Sequence, residues 1–349
     1  MQFLAASRHA AQTASQQARH FLSNASAAGQ NGFIGGRLSN NSDISVLRQL
    51  LYNFSINGSV AAQREHLRES RNKGIAGVPV VFGMPKGVNA SSSVGDTRLL
   101  VYLHGGGYVS GSCHSQWSTV APTAAAAGLA ILCVEYRLAP EHPFPAGLND
   151  VLSVFKELLQ QGYKGSNIVL LGDSAGGGLV AAVAIALQRE GVALPAALGM
   201  FSPWAELGRQ LDTAATLAGV DPILPGSLSD SSKSSSFDMG MRYVGGDTSL
   251  FADPLVSPVR ADYAAIFPAG KLPPVLIQVG LREVLLSDAV LLYHKMQEAA
   301  QGPGHALISP YDAMWHVFQA VNELPEAQAA AKEMGAFFAA ALSGKACPA

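Results

Sequence analysis

The stretch "LLGDSAGGGL" at residues 170–179 joins an apolar run to a polar turn and three consecutive glycines. Within it, Gly172 and Gly176 flank Ser174 in a G-x-S-x-G pattern. Glycines beside such a turn let the chain fold back within a few residues and present the serine hydroxyl. Because small residues are common, this pattern predicts an exposed nucleophile only where a strand precedes it and a helix follows.

The neighbouring sequence meets that condition. The run "NIVLL" at 167–171 is short, β-branched and leucine-rich, as expected for a strand buried on both faces. The run "GGLVAAVAIALQRE" at 177–190 is rich in alanine and leucine, lacks proline and ends in charged residues, which predicts a helix. Ser174 is therefore predicted to lie at a strand–turn–helix junction as a nucleophile.

The order of predicted elements after residue 95 indicates the fold class. Strands are predicted at 98–104, 129–137, 167–172, 196–203, 273–280 and 306–311, and helices at 115–127, 145–162, 177–190, 287–300 and 325–342. This alternation predicts an α/β domain with a parallel sheet covered by helices on both faces.

One long interval breaks the alternation of strands and helices. Residues 204–255 contain the polar run "SLSDSSKSSSF" at 227–237, which is predicted to be a solvated tract. An insertion of this length in a compact domain is typical of a lid or cap. We therefore expect a cap made from residues 1–75 and this insertion, with 76–349 forming the catalytic domain.

Composition excludes several classes of protein. The net charge of −2 and the absence of a lysine or arginine cluster argue against nucleic-acid binding. The longest apolar stretch, 124–134, is too short to cross a bilayer, so no stable membrane insertion is expected. The three cysteines show neither metal-site spacing nor a disulfide framework, and Cys133 is predicted to be a buried, inert thiol. These features favour a cytoplasmic location, although residues 1–42 lack acidic side chains and leave a transit peptide or an amphipathic helix open.

A serine nucleophile needs a base, and the base needs a carboxylate to orient it. His316, in "YDAMWHVFQ", follows the last predicted strand, where a loop can reach back over the sheet. Two carboxylates follow the strand at 273–280, namely Glu283 on the turn and Asp288 near a helix start. The position favours Glu283 as the acid, and Asp288 remains the alternative because a helix-start aspartate also has a structural use.

The motif "HGGGY" at 104–108 is predicted to supply backbone N–H donors for a developing oxyanion, since its glycines follow a strong strand. A dinucleotide site is excluded because no G-x-G-x-x-G pattern fits this segment or residues 172–178.

Several stretches together resemble the hormone-sensitive-lipase-like family of α/β-hydrolase esterases over roughly residues 95–320. They are "HGGGYVSGS" (104–112), "VEYRLAPEHPFPAGLND" (134–150), "GDSAGGGL" (172–179), "SPW" (202–204), "DPLVSP" (253–258) and "MWHVF" (314–318). The resemblance implies an α/β-hydrolase fold with a mostly parallel eight-stranded sheet and a helical cap. It also implies a serine carboxylesterase that uses no cofactor and prefers short- to medium-chain acyl esters.

The resemblance also assigns roles to particular residues. Ser174 would be the nucleophile and His316 the base, and the N–H groups of Gly106, Gly107 and Ala175 would form the oxyanion hole. The family's acid motif, D-P-L, is replaced here by Glu283-Val284-Leu285, which is why both acid candidates stay open.

Three aromatic residues are predicted as walls of the substrate pocket because they lie on or after loops facing the site: Tyr108, Trp117 and Trp204. The expected partner is a small-molecule ester, and the sequence leaves homodimer formation open.

Two alternative functions remain, a non-catalytic small-molecule receptor of the same fold and an acyltransferase using the same triad. The presence of His316 argues against the receptor.

Overall fold

The computed structural model describes residues 14–29, 44–89, 93–208, 211–217, 219–224, 235–268, 270–300 and 305–345. The strands are β1 (Leu67–Ile75), β2 (Val78–Pro85), β3 (Leu99–Leu103), β4 (Ala130–Val134), β5 (Ile168–Asp173), β6 (Ala197–Phe201), β7 (Val275–Gly280) and β8 (Ala306–Tyr311). The helices of the described residues are α1 (Gln16–Gly29), α2 (Ile44–His66), α3 (Trp117–Ala127), α4 (Ala146–Gln160), α5 (Ala175–Arg189), α6 (Thr213–Thr216), α7 (Ser235–Tyr243), α8 (Tyr263–Ile266), α9 (Leu286–Gln297) and α10 (Pro325–Ala341).

The strands form one eight-stranded sheet in the order β1-β2-β4-β3-β5-β6-β7-β8. The β1–β2 and β2–β4 pairs are antiparallel, and every pair from β4 to β8 is parallel. The six predicted strands are thus confirmed as the parallel part of the sheet. Their order places β5, which leads into Ser174, at the centre, so the turn after it lies at the middle of the carboxyl edge.

Alternate side chains of the central strands pack into two separate hydrophobic cores, one on each face of the sheet. Leu170 packs with Val180 and Phe155 on the face covered by α4, α5 and α9, whereas Leu171 packs with Phe338 on the face covered by α3 and α10. Successive side chains of a strand point to opposite faces, so a strand covered on both sides is apolar throughout. This explains why β5 appears in the sequence as a continuous apolar run.

The N-terminal part of the sheet differs from the sequence prediction. Residues 67–75, assigned to the cap segment, form strand β1, and β2 follows it. The β1 sequence "LRESRNKGI" is largely exposed and charged, as suits an edge strand. It therefore lacks the alternation of apolar and polar residues by which strands are recognised in a sequence. The sheet therefore begins before residue 76.

The insertion at 204–255 contributes helices α6 and α7. Most of the serine-rich tract lies outside the described residues, but Ser235, Ser236 and Phe237 begin α7 where the sequence indicated a solvated tract. No helix among the described residues is long and apolar enough to cross a membrane.

The cysteine prediction was wrong for Cys133. This residue, in β4, forms a disulfide with Cys113, which follows the glycine loop after β3. Both side chains are fully buried. The two Cα atoms lie 5.7 Å apart, within the range a disulfide requires. A separation of 20 residues carries no pairing signal by itself, because the pairing depends on how the loop returns to the neighbouring strand.

Candidate active site

Ser174 occupies a strained turn between β5 and α5, with φ of 54° and ψ of −121°. The chain can make this turn only because its neighbours lack side chains. A Cβ on Gly172 would lie 2.3 Å from the carbonyl oxygen of Gly176, and a Cβ on Gly176 would lie 2.0 Å from that of Leu103. A positive φ at a non-glycine residue costs free energy that the surrounding packing must offset. The serine is thereby held at the carboxyl edge of the sheet.

His316 lies on the loop after β8, and its Nε2 is 3.0 Å from the Oγ of Ser174. The imidazole is 4 % exposed. Burial alone would lower the pKa of His316, but the nearby Glu283 carboxylate, with smaller contributions from Asp221 and Asp173, outweighs it and raises the pKa above its ordinary value. The ring is therefore adjacent to the serine hydroxyl and surrounded by groups that favour its protonated form.

Glu283 lies on the loop after β7 and is fully buried. Its Oε1 is 3.5 Å from the Nδ1 of His316, and within the described part of the chain neither atom has a hydrogen-bond partner. Its Oε2 accepts hydrogen bonds from the Oγ of Ser202, at 2.7 Å, and from the N–H of Gly280, at 2.9 Å. Catalytic hydrogen bonds are often long in ligand-free enzymes and shorten when substrate binds.

Asp288, the alternative acid, binds the backbone of the segment that follows β6. It is buried at the start of α9, where its Oδ1 accepts from the N–H groups of Ala205, at 3.0 Å, and Glu206, at 2.7 Å. This carboxylate holds the segment after β6 against α9. Of the two carboxylates, the structure brings Glu283 to His316.

The glycine loop after β3 folds back toward the serine. Gly106 and Gly107 have φ values of 122° and 64°, which favour glycine. The carbonyl of Gly106 accepts from the N–H of Ser110, at 3.0 Å, and from its Oγ, at 2.7 Å, which closes the loop on itself. Among the described residues, the N–H groups of Gly106 and Gly107 donate to no protein acceptor. Ala175 is the first residue of α5, so its N–H belongs to the unpaired set at a helix N-terminus.

Asp173, beside the serine, has a supporting role. Its Oδ1 accepts from the N–H of Gly105, at 2.9 Å, and from the hydroxyl of Tyr102. Burial raises the pKa of Asp173, while these two donors act in the opposite direction. The carboxylate thus joins the glycine loop to the end of β5.

Two of the three predicted pocket residues lie beside the glycine loop. The Tyr108 ring stacks on Tyr243 of α7, with centroids 3.9 Å apart, and lies 5.9 Å from the Trp204 ring. Trp117 does not join them. It is fully buried in the core on the face covered by α3 and α10, with its ring against Gly83 of β2. It is the first residue of α3, and the apolar face of that helix turns the ring toward the sheet.

Ser202 and Asp221 are polar residues of the site that sequence reasoning missed. The Ser202 Oγ donates to Glu283 and also accepts from the N–H of Val317, at 3.1 Å, so it joins the acid to the histidine loop. Asp221, in the insertion, accepts from the N–H of Val284, at 3.2 Å. Ser202 could have been noted as the residue after a core strand in "SPW", whereas Asp221 lies in a segment with no readable pattern.

The sequence and the fold of this chain are similar to those of known hydrolases. A family model described as alpha/beta hydrolase fold matches residues 100–320. An acetyl-hydrolase of Streptomyces hygroscopicus is 36% identical over 244 residues, covering 69% of this chain and 75% of that protein.

Two solved structures are also similar to this chain. One is an esterase of the bacterial hormone-sensitive lipase family, with 32% identity, a TM-score of 0.72 and coverage of 88% of this chain and 94% of that one. The other is EstE5 soaked with p-nitrophenyl butyrate, with 30% identity, a TM-score of 0.78 and coverage of 95% and 100%. Matches of this extent, in sequence and in fold together, confirm the resemblance seen in the motifs. The chain belongs to the hormone-sensitive-lipase-like family of α/β hydrolases and is an enzyme of the serine carboxylic ester hydrolase class.

Proposed function

We propose that this enzyme hydrolyses short- to medium-chain acyl esters through an acyl-enzyme formed on Ser174, with His316 as base and Glu283 as acid. The observation that carries the proposal is the 3.0 Å separation between the His316 Nε2 and the Ser174 Oγ. A serine on a strained strand–helix turn, within hydrogen-bond reach of a buried imidazole, is the arrangement that activates a hydroxyl for attack on an ester carbonyl.

In the first half-reaction, the Nε2 of His316 takes the proton of the Ser174 hydroxyl as Oγ bonds to the ester carbonyl carbon. The carbonyl oxygen becomes negatively charged and accepts hydrogen bonds from the N–H groups of Gly106, Gly107 and Ala175. The Ala175 donor adds the positive end of the α5 dipole. The protonated His316 then gives its proton to the leaving alkoxide, which departs as the alcohol.

In the second half-reaction, water replaces the alcohol. His316 removes a proton from water, whose oxygen bonds to the acyl carbon, and the same proton is returned to Ser174 as the acid leaves. In both halves the imidazole passes through a positively charged form. Glu283 stabilises that form, and the raised pKa of His316 expresses the same interaction.

The preference for short acyl chains is supported by what surrounds the glycine loop. A Cβ on Gly107 would lie 2.3 Å from the Sδ of Met239, so this α7 side chain packs directly against the loop. Tyr108 and Tyr243 are stacked beside it. Side chains so close to the proposed oxyanion hole leave restricted space for a long chain. We expect p-nitrophenyl esters from acetate to hexanoate to be cleaved far faster than palmitate. Efficient hydrolysis of long-chain emulsions would contradict this preference.

The nucleophile is tested by Ser174→Ala. The variant should stay folded and lose at least about 10⁴-fold in kcat. An organophosphate should label the wild-type protein at Ser174 and leave the variant unlabelled. A folded Ser174→Ala variant that retains esterase activity would refute the proposed mechanism.

An acyltransferase would use the same residues, and it is distinguished by measuring ester formation against hydrolysis with an added alcohol. A receptor of this fold would bind esters without turnover. We propose a small-molecule ester as the partner and a cytoplasmic location. Structural disulfides are rare in the cytosol, so localisation of the tagged full chain is the measurement that decides the second point.

A further inference from the structure

We propose that Asp221, in the 204–255 insertion, is a positioning residue for the histidine: it ties the insertion to the loop carrying Glu283 and adds a second negative charge near His316. This inference rests on the proposed role of His316 as the base. It concerns a residue outside the Ser174–His316–Glu283 set, on the insertion between β6 and β7.

The hydrogen bonds of Asp221 join two distant parts of the chain. The side chain is fully buried. Its Oδ1 accepts from the N–H groups of Ile223, at 2.9 Å, and Leu224, at 3.2 Å, which fixes the local turn of the insertion. Its Oδ2 accepts from the N–H of Val284, the residue directly after Glu283, at 3.2 Å. All three contacts require an acceptor, and an ionised carboxylate is the side chain that presents acceptors on both oxygens.

A second contact holds the same loop from the same insertion. The Oγ1 of Thr213 donates to the carbonyl of Val284, at 2.9 Å, and accepts from the N–H of Ser287, at 2.8 Å. The loop between β7 and α9 is therefore held by α6 as well as by Asp221. The position of Glu283 beside His316 depends on the insertion being in place.

The charges that act on His316 come from three segments. Glu283 follows β7, Asp221 belongs to the insertion and Asp173 ends β5, and each of them raises the pKa of the imidazole. Burial raises the pKa of Asp221 to about 6, and the charge of Glu283 acts in the same direction, while His316 and the two local N–H donors lower it. Asp221 is therefore mainly ionised at neutral pH and favours the imidazolium that forms during catalysis. Removing its charge lowers the pKa of His316.

The test is the pH dependence of kcat/KM for p-nitrophenyl butyrate in Asp221→Asn. Activity falls at low pH because protonated His316 cannot act as a base. The acid limb of the profile should therefore move to lower pH, by at least about 0.3 units. At the plateau, kcat should fall about tenfold, because an amide cannot accept from all three N–H groups and leaves the Val284 N–H unpaired.

Asp288→Asn is the matched control. It removes a buried carboxylate that also accepts backbone N–H bonds near the same loop, but that is bound to Ala205 and Glu206. We expect it to lower stability and kcat while leaving the acid limb in place. An Asp221→Asn variant with an unmoved limb and reduced kcat would show only a structural role and overturn the electrostatic part of the proposal. A wild-type kcat in that variant would overturn the positioning part.

A measurement on the wild-type protein covers the case in which Asp221→Asn does not fold. The ¹⁵N resonance of His316 is identified by its absence from His316→Gln. Its titration should depart from a single-proton curve between about pH 5 and 7, because Asp221 titrates in the same range. A single-proton curve would overturn the electrostatic part of the proposal. Failure of the triad itself would appear separately, as retained activity in Ser174→Ala.

Discussion

The two sides of the active site are held in different ways. On the nucleophile side, Ser174 lies on a turn whose shape is set by glycines within four residues of it along the chain. On the acid side, Glu283 is placed by contacts from segments far away in sequence: Ser202 after β6, the histidine loop after β8, and Asp221 in the insertion. The nucleophile turn depends on one glycine-rich motif packed against the neighbouring strand β3, whereas the acid loop depends on side-chain hydrogen bonds from several segments far apart in sequence.

This difference has a consequence for how each side fails. A side chain added at Gly172 or Gly176 on the nucleophile side meets backbone atoms, so it endangers the fold. A substitution on the acid side removes one side-chain hydrogen bond among several, so it changes the orientation of His316 while the domain persists. Loss of stability and loss of kcat therefore distinguish the two sides.

The largest effect is expected for Glu283→Gln. The amide oxygen can still accept from Ser202 and Gly280, but its NH₂ group then faces the Nδ1 of His316 and favours the wrong tautomer. Loss of this orienting carboxylate typically costs about 10⁴-fold in kcat. Steady-state kinetics with unchanged thermal unfolding would confirm the effect as catalytic. If Asp288→Asn proves the more damaging change to kcat, the assignment of the acid is wrong.

Gly176→Ala should disrupt the nucleophile side by lowering the stability of the folded domain. Its Cβ would lie 2.0 Å from the carbonyl oxygen of Leu103 in β3, and neither backbone can yield without disrupting β3 or the start of α5. We expect a loss of more than about 3 kcal/mol in the free energy of unfolding. Gly74→Ala in β1 is the control, since among the described residues no atom beyond its chain neighbours lies within 4 Å of the new Cβ. Equal denaturation midpoints for the two variants would refute the steric argument.

Ser202→Ala should weaken the acid side without unfolding the protein. It leaves the N–H of Val317 without its partner and removes one donor from Glu283. A buried polar group left unpaired costs roughly 1–3 kcal/mol, which corresponds to about a 5- to 150-fold loss if it falls on kcat. Ser153→Ala on the exposed face of α4 provides the comparison, because its hydroxyl donates to the carbonyl of Asn149 within the same helix. A Ser202→Ala enzyme with wild-type kcat would show that the histidine loop is held by other contacts.

The smallest effect is expected at the N-terminal helix. Phe21 of α1 stacks on Trp315, next to the histidine, with ring centroids 4.3 Å apart and planes 7° from parallel. Aromatic pairs contribute about 0.5–1.5 kcal/mol beyond area burial, so Phe21→Ala should lower kcat by roughly two- to tenfold. KM should change little, and Phe21→Tyr, which keeps the ring, should restore kcat. Unchanged kinetics in Phe21→Ala would limit α1 to a role in stability.

The contrast between local and long-range contacts also explains which features could be predicted from the sequence. The parallel strands and the Ser174 turn were predictable because each depends on residues that are neighbours in sequence. The placement of His316 after the last strand was predictable for the same reason. Strand β1 was missed because an exposed, charged edge strand has no apolar alternation. Trp117 was misplaced because a large aromatic after a loop suits a core as well as a pocket, and only the packing of α3 distinguishes them. Asp221 and Ser202 act through partners more than sixty residues away, which no local pattern encodes.

The Cys113–Cys133 disulfide has a practical consequence for handling the enzyme. It closes a loop that starts beside the glycine turn and contains the whole of α3, with its two ends 20 residues apart in the chain. Closing a loop of this length restricts the unfolded chain and contributes about 3 kcal/mol in the chain-entropy model. Neither cysteine belongs to the groups that move protons, so a reduced preparation should turn over substrate normally when freshly made at low temperature. Its half-life on warming should be shorter than that of the oxidised protein, so the redox history of a sample decides how long it lasts.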